Sequence, residues 1–229
     1  LGAVASSAGI RIDGINDAPL LLSPVVTTAY SENDPAVAIN PQIALSDSDS
    51  TQLSGATITI SAGYTTTGSS GVLTLSGAAT LAAYQKALRA ITFSSSSDTP
   101  TASSAVRTIS WQITDTDLAN PGPGDVSSGI VTSTLTISPV NDAPVFSAFS
   151  GVVATTNEDT EVQISLADLV ARANATDVDG TVSAYVVQAV SSGSLRLGTS
   201  AATATAWSAA SNAVIDGTTN AYWTPAPDA

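Results

Sequence analysis

Apolar and polar positions alternate along most of the chain in short runs. Ala56-Thr57-Ile58-Thr59-Ile60 alternates without a break, as a strand with one buried face does. Residues 72–75 (Val-Leu-Thr-Leu) follow a Gly/Ser turn, and 25–30, 37–39, 43–45, 90–93, 106–113 and 130–137 share the same β-branched character. One stretch breaks the alternation. In 80–88 the apolar positions 81, 84, 87 and 88 fall on one helical face, which predicts a short helix over an end or edge of the β structure. Residues 118–129, with Pro121-Gly122-Pro123-Gly124, form the loop between the last two strands. About seven short strands at this spacing predict a β-sandwich.

A second series begins near residue 145. Residues 151–155 and 161–166 read as strands, 167–173 as a short helix, and 182–190, 194–197 and 221–224 as further strands. The series ends before counterparts of the last two strands of the first domain, so the second domain is expected to be incomplete in this chain. Residues 1–12 read as the last strand of a preceding domain and lack the charged start and cleavage site of a secretory leader. The chain is expected to be a piece of a longer polypeptide. The boundaries that follow are a strand at 1–12, a linker at 13–19, a domain at 20–138, a linker at 139–144 and a second domain at 145–229.

The two series carry the same landmarks. Ile15-Asn16-Asp17-Ala18-Pro19 recurs as Val140-Asn141-Asp142-Ala143-Pro144, each after a strand-like run. Glu32 follows in Ser31-Glu32-Asn33-Asp34, and Glu158 in Asn157-Glu158-Asp159-Thr160. Asp47-Ser48-Asp49 then matches Asp177-Val178-Asp179. A period above ~100 residues is that of a tandem array of whole domains, longer than the unit of a solenoid.

Charge changes the picture. The chain of 229 residues has 19 acidic and 6 basic residues, a formal charge of −13, and no His, Cys or Met. So acidic a chain repels phosphate backbones, which excludes nucleic acid as a partner. Without Cys or His there are no disulfides, thiolate sites or imidazole bases. The apolar runs are too short to span a membrane. No paired acid and base in an aromatic groove is evident, so catalysis is not expected. Trp111, Trp207 and Trp223 read as core residues, and Asp34, Asp125, Asp159, Asp168 and Asp216 as loop or capping residues.

Strand direction places the acids. In a seven-stranded sandwich whose strands alternate in direction, Asp47 and Asp49 end the second strand and Asp115 and Asp117 follow the sixth. Both pairs then meet Asp13, Asn16 and Asp17 of the first linker at one pole. Glu32, after the first strand, and Asp98, in the turn before the sixth, lie at the opposite pole. Asn141 and Asp142 of the second linker start there, and Asp177 and Asp179 rise to meet them in a junction site. Carboxylates gathered in this way repel one another unless a cation joins them. Hard oxygen donors in this number suit Ca2+, which takes six to eight; Mg2+ demands a stricter octahedron.

The order of Asn-Asp-Ala-Pro linker, Glu after the first strand, Asp-x-Asp after the second and Asp after the sixth resembles cadherin repeats. Closer still are the cadherin-like repeats of giant bacterial surface adhesins of the RTX type, exported by type I secretion, in which Val-Asn-Asp-Ala-Pro closes each domain. The stretch 157–177 and Ala221-Tyr222-Trp223-Thr224-Pro225 look like that group in particular. Ser31 stands where the family has Pro, and no counterpart of the cadherin Asp-Arg-Glu motif exists; Asp98 is its stand-in. The resemblance implies tandem cadherin-like or Ig-like sandwiches joined by calcium-binding linkers. It also implies an extracellular, cell-surface location and a role as a calcium-rigidified extender in adhesion and biofilm formation, with neighbouring repeats of the same polypeptide as partners. Two alternatives stand beside it: a module that binds a cell-surface glycan or protein, and a subunit of an extracellular filament or surface layer.

Overall fold

The computed structural model describes residues 15–23, 26–61, 71–116 and 124–227. The readings on residues 1–12, on Asp13, on Asp117 and on 118–123 of the long loop lie outside the described residues. The described chain is mostly β structure with two short helices, and it divides into two compact units, Leu1–Val140 and Asn141–Ala229. The division falls inside the expected 139–144 linker.

The first unit contains β1 (Leu20–Leu22), β2 (Thr27–Ser31), β3 (Val37–Ala38), β4 (Ala44–Ser46), β5 (Gln52–Ile60), β6 (Val72–Thr80), α1 (Leu81–Arg89), β7 (Thr92–Phe93), β8 (Val106–Asp115) and β9 (Val131–Ser138). Five of these form one sheet in the order β2-β9-β8-β5-β6. Every pairing in it is antiparallel except β2 with β9, which run parallel. Separate two-stranded ladders join β1 to β4 and β3 to β7.

Alternation along β8 aims Ile109, Trp111 and Ile113 at the core, where they meet Ile58, Leu135 and Ile137 of the same sheet. Leu21, Ile39, Ile43 and Phe93, from around the two ladders, close the other side, with Tyr84 and Leu88 of α1. Each such side chain contributes roughly 1.5–3 kcal/mol on burial. Two buried donors share one acceptor: Trp111 Nε1–H and Asn40 Nδ2–H both donate to Ser133 Oγ, each at 3.0 Å. The helix starts where Thr80 Oγ1 accepts the Ala83 N–H, and Lys86 and Arg89 occupy its last turn, where cations suit the helix dipole.

The strands are longer than the alternation suggests. β5 begins at Gln52 and β6 runs on through Ser76-Gly77 to Thr80. The register between them shifts between Leu53 and Gly55, and Gly77, at φ 105°, supplies the backbone conformation of the irregularity.

The second unit contains β10 (Val145–Phe149), β11 (Val162–Ile164), α2 (Leu166–Arg172), β12 (Ala173–Thr176), β13 (Ala184–Val186), β14 (Ser194–Gly198), β15 (Thr205–Ala206), β16 (Val214–Asp216) and β17 (Asn220–Thr224). A four-stranded sheet has the order β11-β17-β14-β15, and ladders join β10 to β12 and β13 to β16. Leu169, Leu197, Ile215 and Ala221 form its small buried core. A capping box starts α2: Ser165 and Asp168 satisfy each other's backbone N–H.

Four expectations change here. No strand forms over 151–155, where Val152 is exposed; the strand lies earlier, at β10. The 182–190 strand narrows to β13, and Ala173 opens β12 instead of closing the helix. Of the three Trp residues only Trp111 is fully buried; Trp207 and Trp223 are half-buried.

Candidate metal centres

The first acidic group is built by a turn. Asp47 follows β4 directly, and its Oδ1 accepts the N–H groups of Asp49 and Ser50, both at 3.1 Å, which folds the Asp-x-Asp back on itself. Asp49 Oδ2 in turn accepts the Asp17 N–H at 2.9 Å, and Ser48 Oγ donates to Asp17 Oδ2 at 3.3 Å. Next to Asp17, Asn16 donates from Nδ2 to Asp115 Oδ2 at 2.9 Å and to Gly124 O at 3.2 Å. Asp115 ends β8 and is fully buried; its Oδ1 accepts the Val126 N–H at 2.7 Å. Hydrogen bonds therefore join Asn16 to Asp115 and, separately, Asp17 to Asp49 and Asp47, and the two sets meet at the Asn16–Asp17 peptide of the linker.

The two carboxyls of the turn are pushed apart in acidity. Burial raises Asp47 above the ordinary carboxyl value, and the neighbouring Asp49 charge adds to it. The Asp17 N–H, chiefly, holds Asp49 below that value. Asp47 Oδ2 is shielded from solvent and has no hydrogen-bond partner among the described residues.

The second group lies at the end of β2. Ser31-Glu32-Asn33-Asp34 closes with an Asp34 N–H to Ser31 O bond of 3.1 Å, and Asn33 takes a left-handed φ of 66°. Asn tolerates that conformation better than most residues. Glu32 is only 3% exposed. Its N–H donates to Ser138 O at 2.9 Å, and its Oε2 accepts the Val140 N–H at 2.8 Å. Glu32 Oε1 is shielded and has no partner among the described residues. A carboxylate oxygen of Asp98 lies within 4.8 Å of one from Glu32. Asp98 thus stands beside Glu32, as expected of it.

The second unit repeats both devices. Asp177 Oδ1 accepts the N–H groups of Asp179 (3.4 Å) and Gly180 (2.8 Å), and Asp179 accepts the Asp142 N–H at 3.2 Å on Oδ1 and 3.4 Å on Oδ2. This is the Asp17–Asp49–Asp47 arrangement again, with Gly180 in the place of Ser50. A Cβ on Gly180 would stand 3.0 Å from Asp177 Oδ2, so glycine leaves this carboxylate room. Asn141 does not reach an acid as Asn16 does; its Nδ2 donates to Asp142 O at 2.8 Å. The glutamate turn recurs too, with Thr160 N–H to Asn157 O at 3.2 Å and Asp159 at φ 56°. Glu158 itself is exposed, unlike Glu32.

Residues that the motif did not point to complete these sites: the Val126 and Val140 N–H groups, Gly124 O and the Ser48 hydroxyl. Three are backbone groups, which carry no side-chain signature, and a serine between two aspartates is ordinary turn composition.

Every donor here is a hard oxygen. A buried carboxylate with an unmet oxygen costs several kcal/mol unless a charge of opposite sign or further donors meet it. Glu32 Oε1 is such an oxygen, with Asp98 beside it, and Asp47 Oδ2, shielded on a half-buried residue, has Asp49 beside it. Among the described residues, the hydrogen bonds to the carboxylates of Asp17, Glu32, Asp47, Asp49 and Asp115 come from backbone N–H groups, a serine hydroxyl and an asparagine amide. Oxygen donors of this kind suit a divalent cation of the calcium type. Carboxylate oxygens of Glu32 and Asp98 stand close enough to share an ion, whereas among the described residues no three of Asp17, Asp47, Asp49 and Asp115 bring theirs within 4.8 Å of one another. The chain matches no family model and no curated protein.

Proposed function

We propose that this chain is a stretch of calcium-stabilised extender repeats from a large bacterial surface adhesin. Each unit would be a cadherin-like β-sandwich, and calcium would join linker carboxylates to those of the domains. One observation carries the reading. The linker aspartate donates its backbone N–H to the second aspartate of an Asp-x-Asp turn in both units, at Asp17–Asp49 and at Asp142–Asp179. A tie of this kind sets a linker against a domain and gathers carboxylates that a cation would join. The buried, unmet oxygens of Glu32 and Asp47 support the same reading. So does the core of the first unit, which lies between one face of the five-stranded sheet and the two ladders with α1, as the two layers of a sandwich would.

On this reading calcium is a structural ligand, and the protein is no enzyme. Extracellular calcium, at millimolar level, fills sites with dissociation constants of ~10⁻⁴–10⁻³ M, so the array is stiff outside the cell. Stability is then linked to the ion by mass action. The test is a thermal melt with parallel small-angle X-ray scattering, in calcium and then in EDTA. A lower melting temperature and a shorter, more flexible particle in EDTA are expected. The same melt and the same scattering curve in both would sink the proposal.

A second reading, a module that contacts a glycan or a protein, has one specific observation in its favour. In β10 a bulge between Phe146 and Phe149 brings the two rings to 5.0 Å, and Tyr185 lies 6.0 Å from each. The phenylalanines stay 49% and 40% exposed, which makes a small aromatic platform. A blank glycan array and a blank pull-down would remove this reading.

A further inference from the structure

Strand β6 is an edge of the five-stranded sheet, and its backbone says which way its free bonds point. Ile60 N–H donates to Gly71 O at 2.9 Å, and the register continues Thr59↔Val72, Ile58↔Leu73, Thr57↔Thr74, Ala56↔Leu75 and Gly55↔Ser76. Bonded and non-bonded pairs alternate in an antiparallel ladder. Leu73 and Leu75 therefore spend their N–H and C=O groups on β5, while those of Val72, Thr74 and Ser76 face outward. No hydrogen bond from these outward groups is found among the described residues.

Edge strands are ordinarily blunted by lysine, proline or inward-pointing charge. In a chain of formal charge −13, the nine residues of β6 (Val-Leu-Thr-Leu-Ser-Gly-Ala-Ala-Thr) hold no charge and no proline. The irregularity at Gly77 blunts only the far end. The core face beside this edge is open as well. Leu73 pairs with Ile58, which is 5% exposed, yet Leu73 itself is 45% exposed. Next to it is an apolar cavity of about 110 Å³ lined by Ile39, Ile58, Phe93 and Ile109. Further along, Thr74, Leu75, Ser76, Ala79 and Tyr84 line a shallow, partly polar groove of about 300 Å³.

We propose that residues 72–76 pair, antiparallel, with the same residues of a second copy of this chain. The segment is its own complement. With Thr74 opposite the second copy's Thr74, Val72 faces the second copy's Ser76, and all three outward positions exchange both backbone bonds. The same register sets the second copy's Leu75 beside Leu73 and its Leu73 beside Leu75, on the core face, next to the apolar cavity and the groove. Pairing residues lie on one face of a ladder, so the two five-stranded sheets become one continuous sheet with the apolar edge covered. No carboxylate takes part, so this pairing does not depend on the calcium reading.

Sedimentation equilibrium of the whole chain tests it. The wild-type chain is expected to form a dimer, and Thr74→Lys and Thr74→Glu are each expected to weaken it by up to about fivefold, since each puts like charges directly opposite. Mixing the two variants in equal amounts is expected to restore the dimer, because Lys then faces Glu. Position 74 is on the exposed outer face, and circular dichroism checks that both variants keep the fold. A wild-type chain that stays monomeric across the concentration range overturns the proposal, as does a dimer indifferent to both variants. Two weakened variants whose mixture shows no recovery overturn the Thr74-centred register.

Discussion

Glu32→Gln separates two accounts of the carboxylate that ends β2. The side chain is 3% exposed, Oε2 holds the Val140 N–H at 2.8 Å, and Oε1 meets nothing among the described residues. Asp98 brings a second negative charge within 4.8 Å. With no cation, the fold buries a full charge on an oxygen that gets no return for leaving water. Glutamine has nearly the same shape. It keeps an acceptor for Val140 and places two N–H donors on the unmet side, where the Asp98 carboxylate can accept. Relief of one unsatisfied buried polar group amounts to about 1–3 kcal/mol. For a unit of this size 1 kcal/mol moves the melting temperature by roughly 4 °C, so in EDTA the variant should melt on the order of 4–12 °C above wild type. Calcium reverses the sign. At about a hundred times its dissociation constant the ion contributes about 2.7 kcal/mol, and the variant forfeits most of that at this site. Differential scanning calorimetry in EDTA and in calcium should therefore show the two proteins exchanging rank. If Glu32→Gln lies below wild type by the same margin in both buffers, the carboxylate acts through its hydrogen bonds alone, and the cation argument for Glu32 fails.

Two further outcomes follow from local geometry. Asn33→Val should lower the stability of the first unit by about 1–2 kcal/mol, because φ 66° is hostile to a β-branched residue, while Asn33→Gly should leave it nearly unchanged in urea titrations. In the metal-free protein, Asp168 is held low chiefly by the Ser165 hydroxyl, and Asp216 by the Thr218 N–H. Their support is present above the ordinary carboxyl value of 3.8 and drains away as pH falls below it through their lowered values. Burial gives Asp47 the opposite sign, since its protonation relieves the fold as pH falls through its raised value. Ser165→Ala should therefore cost about 1 kcal/mol at neutral pH through the lost cap, and should flatten the acid limb of a stability-against-pH curve.

The acidic sites were more legible than the strands. A carboxylate that must lie in register with a linker keeps its order in both copies, and the hydrogen bonds at Asp17 and Asp142 follow that order. The strands of the first unit were readable where one face is buried, as in β8, whose inward positions alternate as the sequence does. In the second unit that cue weakens. All five residues of β10 are exposed and its bulge breaks the period of two, so the alternation points to 151–155, where no strand forms. β12 is made of Ala173, Asn174, Ala175 and Thr176, mostly poor strand formers, and pairing with β10 overrides their preference. The continuation of β6 past Ser76 rests on Gly77, whose φ of 105° carries the strand across the register shift opposite Leu53 and Gly55, and alternation does not signal such a shift. Trp223 showed the limit of residue type as a guide to burial, since it is only half-buried while Tyr222 next to it is 4% exposed.

The parallel pairing of β2 with β9 has a mechanical meaning. Thr27 lies opposite Thr134 and Ser31 opposite Ser138, so the chain enters this ladder at one end and leaves it at the other. A pull on the two ends of the first unit acts along these strands, in opposite directions, once the short β1 pairing yields. The bonds of the ladder then share the load and must shear together instead of unzipping one after another. A domain whose first and last long strands lie side by side in this sense is built to bear tension along the chain.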